Sequence, residues 1–403
     1  MKIYDWIVVG AGITGAALAY ELVKKGYTVL LLEQHATLQN ATRYSYGGLA
    51  IWRGTTPLTS QLYAEGLTRH RLLSEELGAD TELRELDLLL TIPKDSNPEV
   101  VAESYKRFAT PLKLLSVKEA CELEPLLNPE AIAGALTVKH GHINPEKTVQ
   151  AYIHAFLKAG GKMKIAEAID LSPYPSALTE RGAFGGVRYT EVQTTTKTYY
   201  SENTVVCAGG LSRQLLQSSN IPIKIYFTHA EMIEIPPRAD VQLRTMVMAA
   251  NLQRFQLEAE STKNDRLWRQ YGHELVSPIL DAGAIQFLDG SFRLGQISRA
   301  LSDPCAKIDS AQSEATIRAA IANILPSLGH LPGTWHHCLV SFSSDAFPLI
   351  GSIPRCEGIH IFSGFSSSLV TVPPLAQRFA NWVSGEVDEI ISKFSPARFS
   401  NCF

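Results

Sequence analysis

Apolar and polar positions divide this chain into recognisable elements. Ile7, Val8 and Val9 form a short apolar strand, and residues 28–32 form a second. Between them a helical pattern runs to about Lys25 and stops at Gly26. Residues 61–78, QLYAEGLTRHRLLSEELG, read as a helix, and residues 85–92, ELDLLLTI, as a strand. Ser116 stands three residues before Glu119, the spacing of a capping box at the start of a helix. Residues 145–159 predict a helix entered at a proline and ended by Gly160-Gly161. Residues 186–206 alternate strand-like segments with polar turns and lead into a buried strand at 204–208. From 222 to 300, KIYFTHAEMIEI, AIQFL and SFRLGQI predict an antiparallel sheet. An amphipathic helix at 313–325, a strand at 358–362 and a helix at 374–384 close the chain.

The first of these segments carries chemistry. Gly10, Gly12 and Gly15 follow the first strand at G-x-G-x-x-G spacing, and Glu33 ends the second strand, 18 residues after Gly15. Strand, glycines, helix, strand and terminal acid together make a dinucleotide-binding unit. Gly10 permits the tight turn, Gly12 lets a pyrophosphate approach the backbone, and Gly15 lets the helix lie close on the strand. The helix start attracts the pyrophosphate through its free N–H groups and dipole. Gly10, Ala11, Gly12, Ile13, Thr14 and Gly15 are therefore cofactor candidates. Glu33 and Gln34 belong at the adenosine end, where the Glu33 charge would repel a 2′-phosphate.

Bulk properties narrow the class. With 403 residues, two domains are expected. The chain is 45% hydrophobic and 19% charged, with a formal net charge of −3. No basic stripe points to nucleic acid, and no apolar run approaches the roughly 20 residues that span a bilayer. Met1 leads almost directly into the first strand, leaving no room for a signal peptide. Six scattered cysteines lack metal-ligand spacing and suit a reducing compartment. A cytosolic enzyme fits.

Several later segments carry a family resemblance. Ala41-Thr42-Arg43-Tyr44-Ser45-Tyr46-Gly47-Gly48 is similar to a loop that passes over a flavin. Glu122-Leu123-Glu124-Pro125-Leu126-Leu127, Gly141-His142-Ile143-Asn144-Pro145 and Thr204-Val205-Val206-Cys207-Ala208-Gly209-Gly210 follow in order. Ser344-Asp345-Ala346-Phe347-Pro348-Leu349-Ile350-Gly351 and Ser363-Gly364-Phe365 complete the set. Together they resemble the FAD-dependent D-amino-acid oxidase family, which includes glycine oxidase and monomeric sarcosine oxidase. The resemblance implies an α/β fold with an α+β insert. A discontinuous Rossmann-like FAD-binding domain would span 1–84, 141–215 and 336–403, and an antiparallel-sheet substrate domain 85–140 and 216–335. It implies FAD contacts at Thr42, Arg43, Ser45, Gly47, Gly48, Ala168, Ala208, Gly209, Gly364, Ser366, Ser367, Ser368 and Leu369. Small residues admit a planar ring or a phosphate, and donors near the serines would stabilise the charge of a reduced flavin.

The implied reaction removes a hydride from a carbon bearing an amine, with oxygen or another electron acceptor restoring the flavin. Arg53 matches a substrate-carboxylate arginine, a residue type whose planar fork suits carboxylates; a surface arginine is the alternative. Two other cations of the family are replaced, by Val340 and Thr371, and a usual glycine by Leu369. This departure points to a larger, more apolar or less acidic amine. Cys338 matches a cysteine that forms a thioether to the flavin; a buried free thiol is the alternative. Arg293 matches a lysine that promotes reaction with oxygen; an outward-facing strand residue is the alternative. Tyr226 and His229 lie on a strand that would line the substrate face of the flavin, and a structural histidine is the alternative. His336 and His337 lack a third ligand at metal spacing, so no metal is expected. Two other functions stay open: an NAD(P)H-linked reductase or hydroxylase, and a non-catalytic flavoprotein or assembly factor that has lost its substrate clamp.

Overall fold

The computed structural model describes residues 2–172, 183–184, 187–188, 190–251 and 253–402. Two mixed sheets organise these residues. The first runs Leu349–Ser352, Ile359–Ser363, Thr198–Val206, Ile3–Val9, Val29–Glu33, Lys162–Ile165, with Thr190–Thr194 and Ala168–Ser172 branching from Thr198–Val206. Ile3–Val9 lies between two parallel partners, Val29–Glu33 and Thr198–Val206. Its apolar run is continuous because both faces are covered. Val8 joins a core with Leu18, Tyr152, Val370 and Phe379 from the helices on one side. Ile7 and Val9 join Leu30, Leu32, Val206 and Ile361 on the other. The helix Ile13–Lys24 lies so close that a Cβ on Gly15 would stand 1.8 Å from the Gly10 carbonyl oxygen.

The second sheet runs Thr334–Ser343, Ile225–Ile235, Phe292–Arg299, Ile279–Gln286, Met246–Ala249, Arg84–Pro93, Ile132–His142, Gly48–Leu49. The three segments expected between 222 and 300 form its antiparallel middle. Ile317 and Ile321 of the helix Ser310–Ile324 pack on Ile233, Leu294 and Ile297 of one face. The other face packs Leu88, Leu90, Val138 and Ile285 with Trp52, Tyr105 and Phe108. Strands of this sheet carry the chain across the boundaries expected at 85, 141 and 336. Residues 336–343 pair with Ile225–Ile235 and so lie within the second sheet.

The capping box at Ser116 forms as expected, with Ser116 Oγ accepting from the Glu119 N–H at 3.3 Å. The last long helix differs. It starts at Ser368, not at 374, and contains Pro373 and Pro374. Pro373 has no N–H to give the Leu369 carbonyl. The buried His70 Nε2 lies 2.7 Å from that oxygen and takes the place of the missing donor. No helix among the described residues is long and apolar enough to cross a membrane.

Candidate functional site: a nucleotide cleft with a buried polar end

A cleft of about 450 Å³ runs from Glu33, Gln34 and Ala168 past the glycines to Cys338, Val340 and Phe365. Its first part is built on backbone. Gly12 caps the helix Ile13–Lys24 without a side-chain hydrogen bond, and no acidic residue occupies the first turn. The helix start therefore offers its donors and its positive end to an anion. Thr42 Oγ1 accepts from the Ile13 N–H at 3.2 Å, and Thr14 Oγ1 donates to the Cys207 carbonyl at 3.2 Å. Glu33 is oriented by backbone donors: Ala11 N–H at 2.7 Å on Oε2, Gln34 N–H at 2.9 Å on Oε1. Its remaining lone pairs are placed for ribose hydroxyls. Donor-rich at one end, acidic at the next and apolar beyond, the cleft fits an adenine dinucleotide carrying a flavin.

Of the expected cofactor residues, Gly10, Gly12, Ile13, Thr14, Glu33, Gln34, Thr42, Ala168, Ala208, Gly209, Cys338 and Ser368 line this cleft. Ala11 and Gly15 support it from behind through the contacts just described. Other expected contacts are engaged elsewhere. Arg43 makes a bidentate pair with Glu234 at 2.8 and 3.1 Å and reaches Glu146 at 2.8 Å. The Ser45 carbonyl accepts from Arg293. Gly47 packs on the Ile143 carbonyl, and Gly48 pairs with His142 in the second sheet. Gly364 adopts a positive φ of 78°. Ser366 Oγ donates to the Ala346 carbonyl at 3.2 Å, Ser367 Oγ meets Tyr63 Oη at 3.4 Å, and the Leu369 carbonyl meets His70. The 41–48 loop is thus pinned to the second sheet by Arg43 and Arg293 rather than held open.

A second set of polar groups, Arg53, Arg293, Tyr46 and Asp281, lies outside the lining of this cleft. Arg53 is half-buried, and its Nε, shielded from solvent, has no partner among the described residues. Its guanidinium sits 4.0 Å from the Phe255 ring centroid and 5.9 Å from that of Phe108. Burial lowers its pKa, with Arg254 adding to the effect. Arg293, buried over the Phe287 ring at 4.5 Å, is pushed down to about 10, mainly by burial. Its NH2 group lies 3.6 Å from Glu234 Oε1. Burial pushes the Cys338 thiol up to about 12, while Arg254 and Arg293 pull the other way. Tyr46 Oη is buried without a partner, and burial raises its pKa. Asp281 is pushed up to about 6 by burial, and its Oδ1 has no partner.

Tyr226 and His229 do not line the cleft. Tyr226 Oη donates to Asp265 at 2.9 Å, while the His229 ring nitrogens face the Asp303 carbonyl at 3.0 Å and His337 at 3.2 Å. These are internal polar contacts, so the structural alternative describes them. Val340 lines the cleft, and Thr371 Oγ1 donates to the Ser367 carbonyl. Asp281, Arg254, Phe255 and Tyr105 were not among the expected site residues.

A family model described as FAD dependent oxidoreductase, DAO, matches residues 5–382. The chain belongs to this family. Its curated relatives include a glycine oxidase of Geobacillus kaustophilus, 26% identical over 62% of this chain and 65% of the relative. A monomeric sarcosine oxidase of Streptomyces avermitilis is 29% identical over 55% of this chain and 56% of the relative. The chain thus matches less than two thirds of the length of either. The crystal structure of glycine oxidase from Geobacillus kaustophilus shares the fold of this DAO-family chain, with a TM-score of 0.76, 18% identity and 99% coverage of both chains. L-proline dehydrogenase from P. horikoshii gives 0.73, 18%, and 99% and 98%.

Proposed function

We propose that this flavoprotein oxidises the CH–NH bond of an amino acid or secondary amine to an imine. FAD, when bound, supplies the hydride acceptor. The observation that carries the reading is Arg53, a half-buried cation whose shielded Nε has no partner among the described residues and which stands against an aromatic wall. A charge in such a place is costly unless a ligand pairs with it, and a carboxylate matches its fork. Phe108 and Phe255 stand beside the guanidinium and offer an apolar surface to the rest of the substrate. The names of the relatives, glycine oxidase, sarcosine oxidase and L-proline dehydrogenase, agree in substrate type. Arg293, a buried cation one loop from the cleft, supports oxygen as electron acceptor by stabilising developing negative charge. Free thiols at Cys207 and Cys338 support a cytosolic setting.

Anaerobic mixing of the holoenzyme with glycine, sarcosine, L-proline and a series of larger, more apolar amino acids and secondary amines tests the reading. At least one should bleach the flavin. Bleaching by NADPH without any amine would favour a reductase, and silence toward every amine a non-catalytic flavoprotein.

Cys338 reaches the flavin end of the cleft, which supports a thioether to the flavin ring. Its neutral thiol would need a base during that attachment. Acid-precipitated protein should stay yellow, and Cys338→Ser should release the colour. A colourless wild-type pellet removes the covalent link.

A further inference from the structure

Asp281 has no function in the reading above. It lies on Ile279–Gln286, where Leu280, Ala282 and Ala284 pack toward the helix Ser310–Ile324. Asp281 therefore faces the opposite side, as does Ile285, which packs in the cluster containing Trp52, Tyr105 and Phe108. The strand's register with Phe292–Arg299 shifts between Leu280 and Gly283, so the Asp281 backbone bulges out of the ladder. Such bulges re-aim a side chain.

Shared neighbours locate the carboxylate. Asp281 and Arg53 both act electrostatically on Tyr105, and Arg254 acts on both. Asp281 and Cys338 both act on Tyr46, and Arg254 again acts on both. Asp281 thus shares the sheet face of Trp52, Tyr105 and Phe108 with Arg53, whose guanidinium stands 5.9 Å from the Phe108 ring centroid. Tyr46, Tyr105 and Arg254 are the titratable groups coupled to it, with Arg293 beyond Tyr46. Arg254 is itself paired with Glu258 at 2.8 Å. Asp281 Oδ1, Tyr46 Oη and Arg53 Nε are left without partners among the described residues.

We propose that Asp281 receives the amino group of the substrate and takes its proton. The substrate then lies as a zwitterion, carboxylate on Arg53 and ammonium on Asp281. One N–H bond breaks and one O–H bond forms at Asp281, giving a neutral acid and a neutral amine whose lone pair is free for C–H oxidation. Burial has already raised this carboxyl to about 6, which suits a proton acceptor near neutral pH.

The inference rests on the proposed amine chemistry, and matched half-ligands test it. Methylamine and pyrrolidine carry only the amine; acetate and cyclopentanecarboxylate carry only the acid. Each is titrated anaerobically into the holoenzyme, and affinity is read from the initial perturbation of the flavin spectrum. Asp281→Asn should weaken the two amines by about tenfold or more while sparing the acids. Arg53→Gln should do the reverse. Asp281→Asn should also melt higher than wild type above pH 6, because an unpartnered buried charge is removed. Equal loss of amines and acids, unchanged amine affinity, or a lower melting temperature overturns the role of Asp281. If amino acids bleach the flavin and the variant shows such a result, only this inference falls. If wild type responds to neither amines nor acids, the proposed function falls with it.

Discussion

Arg53 keeps its charge in surroundings that oppose it. Aromatic rings and a second arginine stand near it, and among the described residues no carboxylate forms an ion pair with it. On the proposed reading, replacing it by alanine removes the anchor for an acid. Arg53→Ala should raise the Michaelis constant for amino acids by roughly 10- to 100-fold, the loss of a charged hydrogen-bonded pair. The matching neutral amines should change far less. Steady-state kinetics on both series checks this, and equal effects would discard the carboxylate role. Arg53 was legible in the sequence because it follows the Gly47-Gly48 pair at a recognisable distance. Asp281 was not. The two-residue alternation becomes readable only at Ala284, because the bulge after Leu280 breaks the period where Asp281 sits. Arg254 and Phe255 sit on a nine-residue helix, Gln253–Ser261, that gave no periodic signal.

At the scale of elements, the last helix shows how a side chain can override a local rule. Two prolines argue for a helix start, and the sequence placed one at 374. The helix nevertheless begins at Ser368, because His70 from the helix Pro57–Leu77 supplies the donor that Pro373 lacks. No local pattern near Pro373 announces a partner some 300 positions away. His70→Ala should cost about 1–3 kcal/mol in urea unfolding, the penalty for an unsatisfied buried carbonyl. His70→Gln, which keeps a donor, should recover part of that. Strands with strict apolar runs, and helices with caps such as Ser116, needed no such help and were legible.

The whole molecule carries a set of buried, neutral histidines. Burial pushes His70, His229 and His360 down to about 4, and His140 and His142 to about 3. In the unfolded chain they would protonate near 6.5. Between 6.5 and about 4 the unfolded state therefore binds more protons than the folded one. Stability is full above 6.5 and falls steadily as pH drops toward 4. Melting temperatures across this window should decline steeply, and a flat profile would contradict the burial. The strand order of the first sheet has a consequence for synthesis. Ile3–Val9 is made at the very start, yet its partner Thr198–Val206 emerges only after nearly half the chain. At translation rates of ~5–20 residues per second that wait is about 10–40 s. Val29–Glu33 can cover one edge early, but the other edge stays open on the ribosome. An unpaired apolar edge invites pairing with other chains. The yield of this protein in a cell therefore depends on how well that edge is shielded before the second half arrives.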